Sequence, residues 1–186
     1  MNCLLVSSRH TTGRRASFPM PASFRRFLAS SFGRWATTVC SPAASFDVVT
    51  MWASIEHVPS PMATLRAIRS LLRPGARLLI ACPCFDSLSA QWFGSAWYGL
   101  DLPRHLTHFT RASLRRHLEK AGFEVERVWS LRLPSFIRRS FAQLADDDEK
   151  AMWRWLARSR FFVGCLSLMG LLARRTDAVL CMARQV

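Results

Sequence analysis

The sequence predicts an α/β fold on a mostly parallel sheet, and three observations in residues 45–130 carry that reading. Strand and helix signals alternate along the segment, and such alternation gives a sheet with helices on its faces. Leu78-Leu79-Ile80-Ala81 is a continuous apolar run, as expected of a strand buried on both faces. The helix signals between strands carry start and stop residues, Ser60-Pro61 at one end and Pro74-Gly75 at the other.

Phe46 to Trp52 is apolar and β-branched and reads as the first strand. Met62, Leu65, Ile68 and Leu72 follow at helical spacing, and the strand over Arg77–Cys82 comes next. Thr110 caps a second helix with Leu114, Leu118 and Ala121 along one stripe and Gly122 just past its end. Phe123-Glu124-Val125-Glu126 alternates, the pattern of a half-exposed strand. Residues 131–186 read as mostly helical, closing on a buried strand at Ala178–Ala183. The acidic run Asp146–Glu149 reads as a solvated helix start, because carboxylates are favoured at helix N-termini.

Residues 1–44 differ in kind. Residues 1–45 hold six Arg and no acidic residue, and Pro19, Pro21 and Pro42 interrupt them. Phe24, Phe27, Leu28, Phe32 and Trp35 fall at helical spacing between arginines, which makes a basic amphipathic helix. A membrane-surface segment and a transit peptide both have this composition. The reading preferred here is a non-family basic segment, disordered or not native, joined to a domain over 45–186.

The formal charge of +14 comes almost wholly from Arg, with Lys only at 120 and 150. It favours anionic partners at long range without identifying them, and no nucleic-acid motif accompanies it. The six cysteines show no metal-ligand spacing, so no metal ligands are expected. Buried reduced thiols point to a cytoplasmic protein. The apolar run Phe161–Ala173 is 13 residues long, short of the ~20 a membrane span needs. It reads as a core helix, with weak contact to a lipid surface as the alternative.

Several segments resemble the second half of a class I S-adenosylmethionine-dependent methyltransferase. FDVV followed by the EHV-P-P segment is similar to the family's fourth strand and following turn, and LLRPGARLLIACP to its helix, Pro-Gly turn and fifth strand. W-YGLDLPRHLTHFT, then LRRHLEKAGFEV, is similar to a bacterial subgroup, and TDAVLCMAR to the seventh strand. The resemblance implies a partial doubly wound, Rossmann-like sheet with strands four to seven present and the first strands missing. No GxGxG or GxGxxG occurs, and no acid precedes Asp47. The cofactor's glycine-rich loop and ribose carboxylate are therefore not found, and weak cofactor binding is expected.

By the same resemblance, S-adenosyl-L-methionine is the cofactor, with Thr50, Met51, Trp52 and His57 lining its pocket. Glu56-His57 matches the family's EH pair; a solvated turn is the plainer reading. Pro83-Cys84 stands where many members carry Pro-Asn. Arg104 and His105 are the catalytic candidates, Arg104 to hold an anionic acceptor group and His105 as a base. Packing or capping is the alternative for His105 and His108. Trp92, Trp97 and Tyr98 form either an acceptor wall or a lid's own core. The implied function is methyl transfer to an unknown acceptor by an incomplete chain; the alternative is a non-catalytic methyltransferase-like partner or inactive fragment. The strand around Asp47–Met51 has no evident first strand beside it, which predicts association through an open sheet edge. Cys3-Leu4-Leu5-Val6 is the one short apolar run upstream that could pair there.

Overall fold

The computed structural model describes residues 3–7, 35–36, 44, 46–144 and 151–186. Its described strands form one sheet of six in the order β2-β1-β3-β4-β6-β5. They are β1 (Cys3–Ser7), β2 (Trp35–Ala36), β3 (Phe46–Trp52), β4 (Leu72–Pro83), β5 (Phe123–Leu131) and β6 (Ala178–Gln185). β1, β3 and β4 run parallel, while β6 is antiparallel to both β4 and β5.

The helix between β3 and β4, α1 (Pro61–Leu71), begins where Ser60 accepts a hydrogen bond from the Ala63 N–H. Helix α3 (Arg111–Lys120) begins with a full capping box between Thr110 and Ser113. Both bury the stripe that the sequence spacing predicts. Leu65 and Ile68 of α1 join Leu114 and Leu118 of α3 against Val49, Leu78 and Ile80 of the sheet. Each such side chain contributes roughly 1.5–3 kcal/mol by leaving water. The stop expected at Pro74-Gly75 comes earlier: α1 closes at Leu71, and sheet pairing starts at Leu72, opposite Phe46. The register then shifts across residues 73–76, where Gly75 takes φ +77°. The Pro-Gly turn is thus a bulge inside β4.

Two expectations change. The sequence reading leaves β3 without a first strand, whereas the backbone of Cys3–Ser7 pairs with Val48–Trp52 over five residues. This is the short apolar run noted upstream, and its backbone satisfies the edge groups of β3. Trp35, expected on a helical stripe, has strand backbone in β2. The helix expected over residues 24–34 and the acidic run 146–149 lie outside the described residues.

Between β5 and β6 the chain leaves the sheet. Helices α4 (Pro134–Leu144), α5 (Ala151–Arg158) and α6 (Arg160–Leu172) pack with α2 (Leu88–Phe93) around Phe93, Trp97, Ile137, Phe141 and Val163. Phe136 touches both this cluster and the sheet face carrying Val48, Leu79 and Leu180.

Candidate functional site

Near the carboxyl end of β3 one buried residue is polar. Thr50 is buried and its Oγ1 has no hydrogen-bond partner. Ala53, just past the strand, holds φ +42° while its N–H donates to the Ala81 carbonyl at 2.8 Å. A non-glycine residue in the left-handed region is strained, and such strain concentrates at functional turns. One turn of 3₁₀ helix, Ile55–His57, follows.

Glu56 in that turn is only 2% exposed, and neither carboxylate oxygen has a hydrogen-bond partner. Loss of water pushes its pKa up to about 7, although the nearby backbone N–H groups of Glu56 and Ser54 act in the other direction. The Glu56 carbonyl accepts from the N–H groups of Leu106 and Thr107 at 2.8 and 3.2 Å. The loop over 99–108 is thereby hung on the turn after β3.

Three histidines hold that loop from different sides. His57 Nδ1 donates to the Arg104 carbonyl at 2.9 Å, His105 Nδ1 to the Gly99 carbonyl at 2.8 Å, and His108 Nε2 to the Leu100 carbonyl at 2.8 Å. A carbonyl can only accept, so each of those ring nitrogens carries the proton. The His57 and His105 rings meet edge to face with centroids 4.7 Å apart. His105 is buried, and desolvation lowers its pKa; the Gly99 carbonyl and Asp101 oppose that shift, while His57 and His108 add to it. Its Nε2 is 3.8 Å from Asp101 Oδ2.

The other predicted residues divide. Thr50 and Trp52 share a sheet face with Val48, since alternate residues of a strand point the same way. Met51, expected beside them in the pocket, points the other way into the core with Val49, Ile55 and Leu65. Arg104 is exposed, and its guanidinium pairs with Asp101 Oδ1 through Nε at 3.0 Å and the Nη2 nitrogen at 2.5 Å. It therefore faces its own loop's carboxylate. Cys84, in the position that often holds Asn, donates its thiol to Asp86 at 2.8 Å; burial first, then Asp86, pushes its pKa up to about 12. Trp97 is fully buried among the helices, and Gly99 lies so close that a Cβ there would come 2.3 Å from the Trp97 ring. Tyr98 is bound by Ser140 and Arg139. Trp97 packs in the helical cap formed by α2, α4, α5 and α6, Tyr98 meets Phe136 of α4 edge to face, and Trp92 is exposed.

Glu56 and Asp101 are the residues the sequence reading underused. An acid between Ile55 and His57 is a weak signal alone; its burial follows from contacts made about fifty residues later. Together Glu56, His57 and His105 present one ligand atom each, all within 4.8 Å of one another. That spacing would admit a cation.

A family model described as a methyltransferase domain matches residues 8–128. The match begins inside the segment that the sequence reading sets apart. The ubiquinone biosynthesis O-methyltransferase of Xanthomonas axonopodis pv. citri is 35% identical over 94 residues, which are 46% of this chain and 38% of that protein. The protein of the same name from Marinobacter nauticus is 35% identical over 92 residues, 46% of this chain and 39% of its own length. The matched region is thus well under half of each relative. Among solved structures, a putative methyltransferase from Bacillus halodurans C-125 superposes with a TM-score of 0.57 at 13% identity, covering 98% of this chain and 91% of that one. Likeness at that identity concerns the fold.

Proposed function

The chain belongs to the methyltransferase-domain family, and on that premise we propose that it is an S-adenosylmethionine-dependent methyltransferase acting on an acceptor oxygen. The observation that carries the reading is the convergence of Glu56, His57 and His105 beside the carboxyl end of β3. Open α/β sheets bind ligands at that edge. The name O-methyltransferase on the Xanthomonas and Marinobacter relatives supports oxygen as the acceptor atom.

The residues present fit such a cofactor in part. Thr50 Oγ1 and the Glu56 carboxylate are buried polar atoms without partners, and buried polar groups ordinarily have one. Thr50, Trp52 and the Ser54–His57 turn would hold the cofactor. When bound, S-adenosylmethionine supplies a methyl group already activated by its sulfonium. The chain's own residues then have to align the acceptor, exclude water and take the hydroxyl proton. His105 suits the last task. Its Nδ1 proton is held by the Gly99 carbonyl, burial favours the neutral ring, and Nε2 is the basic atom.

Cofactor binding and methyl transfer test this separately. Calorimetry on the purified chain should give binding weaker than micromolar, because no glycine-rich turn is found, and Thr50→Val should weaken it further. With an acceptor hydroxyl that the chain turns over, His105→Ala should lower the rate by roughly 10²–10⁴ while leaving cofactor affinity within threefold. An unchanged rate would remove His105 from the reaction. No binding at millimolar cofactor would overturn the reading as a whole and favour a non-catalytic methyltransferase-like protein.

A further inference from the structure

The helical cap carries a surface that methyl transfer does not use. Helix α6 has no charged residue from Phe161 to Ala173. Its outer side exposes Phe161, Leu168, Met169 and Leu172, with Phe161 at 83% and Leu172 at 76%. Next to it α5 exposes Met152 and Trp155. Large apolar patches on a surface mark an interaction site.

Cations border the patch. Residues 151–175 contain five arginines (154, 158, 160, 174 and 175) and no acid. Arg138, Arg139, Arg154, Arg158 and Arg160 line a groove of about 670 Å³ between α4, α5 and α6, and among the described residues no acidic side chain lines it. Arg139 also reaches the Tyr98 hydroxyl. The acidic run 146–149 precedes α5 in sequence and lies outside the described residues. Among the described residues no single helix is long and apolar enough to cross a membrane, and α5 and α6 meet at a bend of 75°.

We propose that α5 and α6, with the arginine groove they share with α4, dock in the interface of an anionic lipid bilayer. Charge complementarity selects this partner. A helix apolar nearly all round, with Trp and Phe exposed and arginines along its border, has the composition of an interfacial element. The apolar side chains enter the acyl boundary while the guanidinium groups stay at the level of phosphate. The bend keeps both helices flat instead of threading them through. This inference does not depend on the proposed reaction.

Flotation of the full chain with vesicles tests it, using phosphatidylcholine alone and phosphatidylcholine with about a third phosphatidylglycerol. Binding to the anionic vesicles should be at least tenfold tighter and should fall in 0.5 M salt, as surface electrostatics do. Arg154→Gln with Arg158→Gln should reduce it roughly thirtyfold, following the usual contribution of each cation near such a surface. Phe161→Ser with Leu172→Ser should reduce it further, with circular dichroism unchanged. Absence of binding to either vesicle, or equal binding to both that ignores the arginine changes, would overturn the proposal. So would a chain that is oligomeric without lipid and becomes monomeric on Phe161→Ser and Leu172→Ser, since the face would then join two copies.

Discussion

At the end of β3, polar groups are buried without hydrogen-bond partners: the Glu56 carboxylate and Thr50 Oγ1. In the cap formed by α4, α5 and α6, apolar groups are exposed without cover: Trp155, Phe161 and Leu172. Each region departs from ordinary packing in the opposite direction. Between them lies a sheet with an apolar, buried core. Sequences that specify one fold tend to break local rules at sites of function, and the proposed chemistry and the proposed lipid attachment fall on these two departures.

The contrast can be broken most forcefully inside the cap. Phe141 of α4 meets Phe93 edge to face at 4.8 Å and stacks on Trp153. Phe141→Ala should lower unfolding free energy by about 3–5 kcal/mol, read by urea denaturation. A loss below about 1 kcal/mol would mean that the cap has no core of its own.

A comparable effect of opposite sign is expected at the site. The folded-state pKa of Glu56 is about 7, above its ordinary 4.5. Below pH 4.5 folded and unfolded chains both hold the proton, and burial carries no ionisation cost. From there to about pH 7 the unfolded chain ionises first, so stability falls as pH rises, and above pH 7 the whole cost, roughly 3 kcal/mol, applies. Glu56→Gln should therefore raise stability by about that amount at pH 8 and change it little at pH 4.5. A gain independent of pH would show that Glu56 is not the titrating group.

The smallest effect sharpens the comparison. Phe161→Ser, at a side chain 83% exposed, should alter stability by less than about 0.5 kcal/mol in lipid-free buffer. A loss near that of Phe141→Ala would mean that Phe161 is packed in solution.

How much of this was legible in the sequence depended on the range of the interaction. Ser60, Thr110 and Gly122 act on neighbours within a few residues, and the helices they bound lie where the spacing puts them. The bounds of β3 also follow from its own apolar run. The chain order of strands was legible, and so was the EH pair as a place to look. Long-range pairings were not. The run Cys3–Val6 can be picked out as a candidate for the β3 edge but its register cannot, and a strand's two faces cannot be told apart until the helices above them are known, which is why the core side of Met51 is not legible. The burial of Glu56 depends on a loop whose anchors lie about fifty residues away.

The histidine clasp has one more consequence. The main-chain carbonyls of Gly99, Leu100 and Arg104 each accept a hydrogen bond from the N–H of a different imidazole. The fold of that loop therefore dictates which nitrogen of each ring is basic. Lifting the loop would let every ring choose its tautomer again, as it does in water. Basicity among these three rings is thus a property of chain conformation, set by the loop's main chain.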